Sequence, residues 1–443
     1  MAQTSDIRDI AHTCVKTALK KGAQHCAATV RRSRDVSVNW RDGQVDKIEE
    51  ATTRGVRVQL YVDGRYSDVS SSDLRPEALD TFIGDSVAMT RVLSEDPDRM
   101  LPDPSLYAGR ANVDLRLDDP AYKGVTAQQR RELAQKIEQA ARGVEGASAI
   151  LSVTSAAQDT RTELLRVTSN GFEGEQVQTI FQAYASVSVK DQDGRRPSDF
   201  DVTGGRFNAD LESPALVGRR ATERALSRLG AKKAPSAVMT LVVDNRAAGR
   251  LVGALGAPLS GASLQQKRSF LEGKLGQKIG SPLFDVTDDP LVPKGWGSRL
   301  FDGEGIAAKR MPVFEKGVLR NFYLDTYYAR KLKMAPTTAG TSNLAWTLGT
   351  KSQPELLKDV GEGILVTGFI GGNSNSTTGD YSFGVQGFMI RSGQISEPIS
   401  EMNIAGNMMD LLGRLTAVGN DPWPYSPMRT PTLVFEGVQF AGV

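Results

Sequence analysis

The sequence is poor in histidine, which limits the chemistry it can perform. Only His12 and His25 occur among its 443 residues. Hydrolases of the triad type and most zinc sites use histidine. His12 and Cys14 lie two positions apart on a predicted helix, so their side chains point about 200° apart and cannot share one ion. We therefore interpret both residues, with His25 and Cys26, as structural.

Cysteine and long apolar runs are scarce as well. Two cysteines in so long a chain cannot form a disulfide framework, which favours reduced thiols in a cytoplasmic protein. No run of about 18 apolar residues predicts a transmembrane helix, and Met1–Ile10 lacks the apolar stretch of a signal peptide. A net charge of +2 gives no general attraction to nucleic acid or to an anionic membrane. We expect a cytoplasmic protein that binds neither.

The length predicts two or three domains, because a single core rarely serves 443 residues. We place an N-terminal α+β unit at 1–110, a second, central α+β unit at 111–234 and a β-rich C-terminal domain at 235–443. The first unit reads as a helix, hairpins that turn at Asp42-Gly43 and Asp63-Gly64, and a closing helix.

The second unit repeats that order of elements. Thr126 begins a helix, and strand-like runs follow at Ile150–Val153 and Glu163–Thr168. Another helix then opens near Pro214. An ancient duplication explains this repeat, and so does common turn chemistry, since each motif alone is generic.

The C-terminal part of the chain, from Pro235 onward, differs in its sequence pattern, which predicts glycine-bearing strands and few helices. Val238–Val243 reads as an apolar strand, and Asp244 or Asn245 can cap the helix after it. Glycine within strands indicates curvature, bulges or close approach of two backbones. The predicted fold is α+β: helix-plus-hairpin units followed by a strongly curved or barrel-like C-terminal domain.

Charged clusters offer two further candidates. Carboxylate pairs such as Asp288-Asp289 and Asp302 with Glu304 suit glycoside-type chemistry only at a fixed separation, and we interpret them as solvated loop residues. Four arginines lie at helical spacing: Arg219, Arg220, Arg224 and Arg228. They indicate either a patch that binds nucleic acid or a solvated helix face whose arginines pair with acids. The solvated face is the favoured interpretation.

A polar loop follows the glycine cluster at Gly368, Gly371 and Gly372. It runs from Asn373 to Ser382 and fits neither a P-loop nor a dinucleotide-binding pattern. Either its backbone amides contact an extended ligand, or it is a long surface connection. We predict ligand or partner contact, with these candidate residues: Asn373, Thr378, Asp380 and Tyr381.

Several sequence blocks, taken in order, resemble one known family. They are Gly261–Leu275, Gly297–Gly305, Asp325–Leu332, Thr378–Ser382, Ile404–Met408 and Val418–Asp421, with Arg54–Val58 in the N-terminal half. The resemblance is to the TldD/TldE (PmbA) family and covers nearly the whole chain. It implies a subunit of a metallopeptidase pair in which TldD carries zinc and TldE does not.

The resemblance also shows what this chain lacks. The TldD type has His-Glu-x-x-x-His after the first strand of the C-terminal domain, where this sequence has Gly253, Ala254 and Pro258. The TldD type takes a further cysteine ligand from the loop before the last strand, and Trp423–Thr430 contains none. Glycine, alanine and proline side chains supply neither a ligand atom nor a general base. The sequence is therefore identified as a TldE (PmbA)-type, metal-free member.

The resemblance implies a non-catalytic subunit in the proteolysis of unfolded or short peptides, with zinc expected only in a TldD-type partner. When isolated, the chain would form a homodimer or remain single. Two alternatives from other classes stay open. One is a regulator that binds protein or nucleic acid, as the family's older name, modulator of DNA gyrase, suggests. The other is a metal-free hydrolase.

Overall fold

A computed structural model describes residues 2–192 and 194–443. The N-terminal half contains two similar series of elements. The first is α1 (Ala2–Lys20), β1 (His25–Arg41), β2 (Gln44–Val62), β3 (Arg65–Ser71) and α2 (Pro76–Thr90). The second is α3 (Ala127–Arg142), β4 (Ile150–Thr168), β5 (Glu173–Val189), β6 (Ser198–Gly205) and α4 (Pro214–Leu226).

Both series contribute to a single antiparallel sheet with the strand order β3-β2-β1-β4-β5-β6. The central pair joins the first strand of each series along its length, from Ala27 opposite Thr168 to Arg41 opposite Thr154. The repeated order of elements predicted from the sequence is thus present, and the sheet is nearly symmetric about the β1–β4 pair. The helices cover one face of this sheet, where the apolar side chains lie.

Local signals in the sequence identified the turns and caps correctly. Asp42 and Gly43 have φ of 47° and 88°, and Asp63 and Gly64 have φ of 49° and 72°, as tight hairpins require. The Thr126 side chain caps α3 by accepting a hydrogen bond from the backbone N–H of Gln129 at 3.2 Å.

The prediction of two separate strands at Ile150–Val153 and Glu163–Thr168 is wrong, because both belong to the continuous strand β4. The segment between the two predicted runs contains several polar residues. One of them, Asp159, is buried and accepts from Nη2 of the buried Arg130 in α3 at 2.9 Å. The ion pair with Arg130 therefore allows a charged residue to be buried in the middle of this strand.

The C-terminal domain begins with β7 (Ala237–Val243), α5 (Asn245–Gly253) and α6 (Gly261–Gln265). Next come β8 (Val286–Asp288), β9 (Met311–Glu315), β10 (Val318–Leu319), α7 (Thr326–Leu332), β11 (Leu344–Trp346) and α8 (Gln353–Val360). The chain ends with β12 (Gly363–Ser374), β13 (Asp380–Arg391), β14 (Gln394–Asn407), α9 (Met408–Gly413), β15 (Leu415–Val418) and β16 (Leu433–Ala441).

Five of these strands close into a barrel with the order β14-β13-β12-β7-β16, and β14 pairs back to β16 through Ile404 and Phe440. Only the β7–β12 pair is parallel. The ladder between β12 and β13 shifts register next to Gly368 and Gly371, so bulges at glycines bend these strands. The prediction of a barrel-like C-terminal domain is confirmed. The strands β10, β9, β8 and β11 form a small sheet beside it.

Side chains of the helix α7 form hydrogen bonds that join the polar segment 94–105 to the C-terminal domain. Tyr327 donates its hydroxyl to Asp96 at 2.8 Å, and the guanidinium of Arg330 donates to the backbone carbonyls of Asp98, Met100 and Leu101. Within the described ranges, no helix combines the length and apolarity that crossing a bilayer demands.

Candidate functional site

The helix α5 holds the positions where the resemblance expects metal ligands. Asp244 caps it by accepting from the backbone N–H of Arg246 at 2.9 Å, as predicted for Asp244 or Asn245. Asn245 ties the helix to the loop before β16, since its carbonyl accepts from Thr430 Oγ1 at 3.0 Å. Ala247, Ala248, Leu251 and Val252 face the core, while Arg250 and Gly253 lie on the outer face.

The three degenerate positions have no nitrogen or oxygen in their side chains, and neither has Met428, which lies beside Gly253. We call this set the α5 face: Gly253, Ala254 and Pro258, with Met428. Gly253 is exposed, Ala254 is half-buried and Pro258 is buried. Met428 comes from the loop where a cysteine ligand would be expected, and a Cβ on Gly253 would lie 3.5 Å from its Cε. The only side-chain heteroatom here is a thioether sulfur, which does not fit the nitrogen, oxygen and thiolate ligands of zinc.

No group of three or more histidine, cysteine, aspartate or glutamate residues is arranged to hold a metal ion in the described part of the chain. Cys14 and Cys26, the two free cysteines, are buried. Burial raises the pKa of Cys14 to about 11 and that of Cys26 to about 12. Neither forms the thiolate that a nucleophile or metal ligand requires at neutral pH.

The polar loop predicted from Asn373 to Ser382 is much shorter in the structure. Asn373 pairs with Ser382 and Ser374 with Tyr381, so only residues 375–379 connect β12 to β13. We call these five residues the hairpin tip. Backbone pairing extends the two strands through polar residues that show no alternating pattern, and for that reason the sequence did not reveal them.

The side chains around the hairpin tip hold its conformation. Asp380 accepts from Thr378 Oγ1 at 2.7 Å and from Asn407 Nδ2 at 3.1 Å. These two hydrogen bonds lower the pKa of the exposed Asp380 carboxyl. Asn407 also donates to the Thr378 carbonyl at 2.9 Å and caps α9 by accepting from Met409 N–H at 3.1 Å.

Of the four predicted contact residues, Asn373, Thr378 and Asp380 are exposed, whereas Tyr381 is not. Tyr381 is 6% exposed and stacks on Phe383, with ring centroids 5.5 Å apart. Its position two residues before Phe383 on one strand places both rings on the core side of the barrel. Tyr381 therefore packs in the core beneath the hairpin tip, and the other three residues remain candidates for contact with a ligand or partner.

The structure brings the hairpin tip and the α5 face together. Ser269 donates its hydroxyl to the Pro258 carbonyl at 2.6 Å, and the next residue, Phe270, donates its N–H to the Ser376 carbonyl at 2.9 Å. Arg250 donates from Nη2 to the Gly372 carbonyl at 2.9 Å. The contacts of Arg250 and Phe270 are not apparent from the sequence, because neither pairing can be inferred from spacing along the chain.

The other charged candidates are engaged in structural contacts. Arg220 and Arg224 both pair with Asp201 of β6, and Arg228 pairs with Asp199. The predicted pairing with acids is confirmed. The prediction of a solvated face is wrong for these three arginines, because the side chains of their partners Asp199 and Asp201 are buried, and it holds for the exposed Arg219.

Asp288 is 2% exposed and accepts from the Tyr323 hydroxyl at 2.8 Å and the Ser342 N–H at 2.9 Å. Our interpretation of Asp288 as a solvated loop residue is wrong, because these donors replace water around its carboxylate. It is wrong for Asp302 as well, which is 4% exposed and accepts from two backbone N–H groups, and for the largely buried Glu304.

Comparison with known proteins shows which family the chain belongs to. The model for the PmbA/TldA metallopeptidase C-terminal domain matches residues 236–442, that for the central domain matches 121–229, and that for domain 1 matches 26–90. The chain belongs to the PmbA/TldD family. It is 29% identical to the metalloprotease PmbA of Escherichia coli O157:H7, over 100% of this chain and 98% of that protein.

Solved structures of family members share the whole architecture. A protein of Bacteroides thetaiotaomicron VPI-5482, named as a proposed modulator of DNA gyrase, is 39% identical with a TM-score of 0.95, covering 98% of this chain and 99% of that one. TldE from Thermococcus kodakarensis is 21% identical with a TM-score of 0.85, covering 98% and 100%. The second similarity shows the fold alone.

Proposed function

We propose that this chain is a non-catalytic, metal-free subunit of a PmbA/TldD-type peptidase and that it acts with a zinc-bearing TldD-type chain. The observation that carries this proposal is the chemistry of the α5 face. Gly253, Ala254 and Pro258 have no donor atom, and Met428 stands in the loop that would supply a further ligand. Activation of water by a metal therefore has to come from another chain.

The contribution of this chain would be to bind and orient peptide. The hairpin tip supports this role because it exposes polar side chains and backbone next to the α5 face, to which Ser269 and Phe270 link it. An extended peptide can be held there through main-chain hydrogen bonds with little regard for its side chains. In this proposal Asn373, Thr378 and Asp380 contact unfolded or short peptides, or the partner chain itself. Tyr381 contributes by keeping Phe383 and the strand in place.

The partner and the cellular location are parts of the same proposal. The fold shared with a TldE protein favours a TldD-type partner. A homodimer is the alternative assembly for the isolated chain. Two free, buried thiols suit a reducing compartment, so we propose the cytoplasm.

Co-expression with the TldD-type chain of the same organism tests the proposal. We expect the two chains to co-purify, and the complex to cleave unfolded peptides in a chelator-sensitive way while this chain alone does not. Robust cleavage by the isolated chain in the presence of chelator would contradict the proposal and support a metal-free hydrolase instead.

A regulator of another protein is the second candidate, favoured by the name given to the Bacteroides relative. The pairing of Arg220, Arg224 and Arg228 with acids leaves little free positive charge on α4 for nucleic acid. Failure to co-purify with any TldD-type chain would favour this candidate.

A further inference from the structure

A polar pocket of about 370 Å³ lies between the uncovered face of the N-terminal sheet and the loop 296–303. Alternate residues of the central strands line it, including Thr29 and Arg31 of β1 and Thr162 and Arg166 of β4. Arg299 lines it from the loop. We call it the arginine pocket.

Arg166 is 5% exposed, yet its hydrogen bonds go to uncharged atoms. It donates from Nη1 to Thr29 Oγ1 at 3.0 Å and from Nη2 to Gln59 Oε1 at 2.8 Å. Its Nε has no hydrogen-bond partner among the described residues. A buried cation with an unused donor is costly unless something else compensates it.

Arg299 repeats this pattern on the opposite wall. Its guanidinium donates to the Thr341 carbonyl at 3.0 Å and to Thr338 Oγ1 at 3.2 Å, both of them neutral acceptors. Its Nε is also buried without a partner. In the described ranges, three buried guanidinium nitrogens lack an acceptor. Two of them belong to Arg166 and Arg299, which both line this pocket.

Two carboxylates, those of Asp302 and Glu304, are near enough to act on Arg166 through space, and Asp302 also lines the pocket. The hydrogen bonds of both go to other groups. Asp302 accepts from the N–H groups of Glu304 and Ile306 at 2.9 and 3.0 Å. Glu304 accepts from Thr326 N–H at 2.8 Å, and burial raises its pKa, which weakens it as a counter-charge. Burial likewise lowers the pKa of Arg166.

We propose that the arginine pocket binds an oxyanion, with Arg166 and Arg299 as its main ligands. A carboxylate or phosphate oxygen would pair with the two guanidinium groups, whose hydrogen bonds among the described residues go to neutral atoms. Charge-assisted hydrogen bonds of this kind are strong in a partly buried site. The exposed Arg31 at the rim adds a third positive charge. If the function proposed above holds, the natural ligand is the carboxylate of a peptide.

Thermal unfolding of the isolated full-length chain tests this inference with three probes: an N-acetylated tripeptide with a free carboxylate, the same tripeptide amidated at its C-terminus, and inorganic phosphate. A ligand of the folded state raises the melting temperature as its concentration rises. We expect the free-acid peptide to do so and the amide to have no effect.

Variants assign the binding to the pocket. Arg166→Met should abolish the shift, and Arg31→Gln should weaken the affinity by roughly 2–5-fold, the effect of one exposed charge pair. Arg219→Gln, an exposed arginine of α4, is the matched control and should leave binding unchanged. Because Arg31 is exposed, its variant keeps the test decisive if Arg166→Met fails to fold.

Each outcome decides the inference. Binding of phosphate alone, lost in Arg166→Met, supports the oxyanion site and assigns it to phosphate instead of a peptide end. Equal shifts for acid and amide, or shifts of either anion that neither Arg166→Met nor Arg31→Gln changes, would overturn it. No partner chain is needed, so failure here leaves the cleavage test of the proposed function unaffected.

Discussion

The α5 face and the arginine pocket differ in the chemistry that their side chains offer. On the α5 face, Gly253, Ala254 and Pro258 provide shape without donors or acceptors. In the arginine pocket, Arg166 and Arg299 provide donors that no protein atom uses. The comparison shows that the α5 face offers no group able to activate water, whereas the arginine pocket offers positive charge for an anion. Both differences fit the proposed role of binding and positioning.

The largest expected effect on stability is a difference between two buried arginines, the structural Arg130 and Arg166 of the arginine pocket. Arg130→Met leaves the carboxylate of Asp159 buried without its partner, and should lower the free energy of unfolding by about 3–5 kcal/mol. Arg166→Met removes a cation that has only neutral partners, and should change it by no more than about 1 kcal/mol. Denaturant unfolding measures both. Equal losses would show that Arg166 is structural too.

Glycine substitutions at the two sites should differ in their cost to stability, because Gly297 is closely packed and Gly253 is not. A Cβ on Gly297, which lines the arginine pocket, would lie 2.3 Å from the Ser342 carbonyl oxygen. Gly297→Ala should therefore cost about 1–3 kcal/mol of unfolding free energy, as overpacking does. Gly253→Ala meets only Met428 at an ordinary distance and should stay within about 0.5 kcal/mol. A large loss at Gly253 would mean that the α5 face is tightly packed.

The smallest expected effect on stability concerns Asp380 at the hairpin tip. Its pKa is lowered in the folded state, so its charged form stabilises the fold above the unfolded pKa, and that contribution is lost as the pH falls through the folded value. Asp380→Asn should lower the melting temperature slightly at neutral pH, and the difference from the parent should vanish in acid.

Activity measurements on the same variant distinguish contact from support. If Asp380 contacts peptide or partner, the assembled complex should lose cleavage although the variant folds. If stability falls while activity per folded complex is unchanged, Asp380 only organises the tip and its contact role fails.

The sequence predicted those parts of the fold that depend on local chemistry. The Asp-Gly turns, the caps at Thr126 and Asp244 and the curvature at glycines each follow from a few neighbouring residues. The sequence could not show that β4 is continuous, because the Arg130–Asp159 pair that allows a buried charge joins two distant elements.

The candidate site was predicted in part for the same reason. The loss of ligands at Gly253, Ala254 and Pro258 is visible in the sequence, since side-chain chemistry needs no geometry to judge. The burial of Tyr381 and the contact of Phe270 with the hairpin tip depend on how the hairpin of β12 and β13 folds against the segment that follows α6. The arginine pocket combines residues more than 100 positions apart, and no motif marks it.

The zinc content of each chain in the purified complex tests the central claim most directly. After co-purification with the TldD-type partner, the two chains are separated under native conditions and each is analysed for metal. We predict that zinc stays with the partner and that this chain holds none after equilibration with zinc and gel filtration, because the α5 face has no ligands. About one tightly held zinc per copy of this chain, lost when a shared set of its own residues is substituted, would contradict the account.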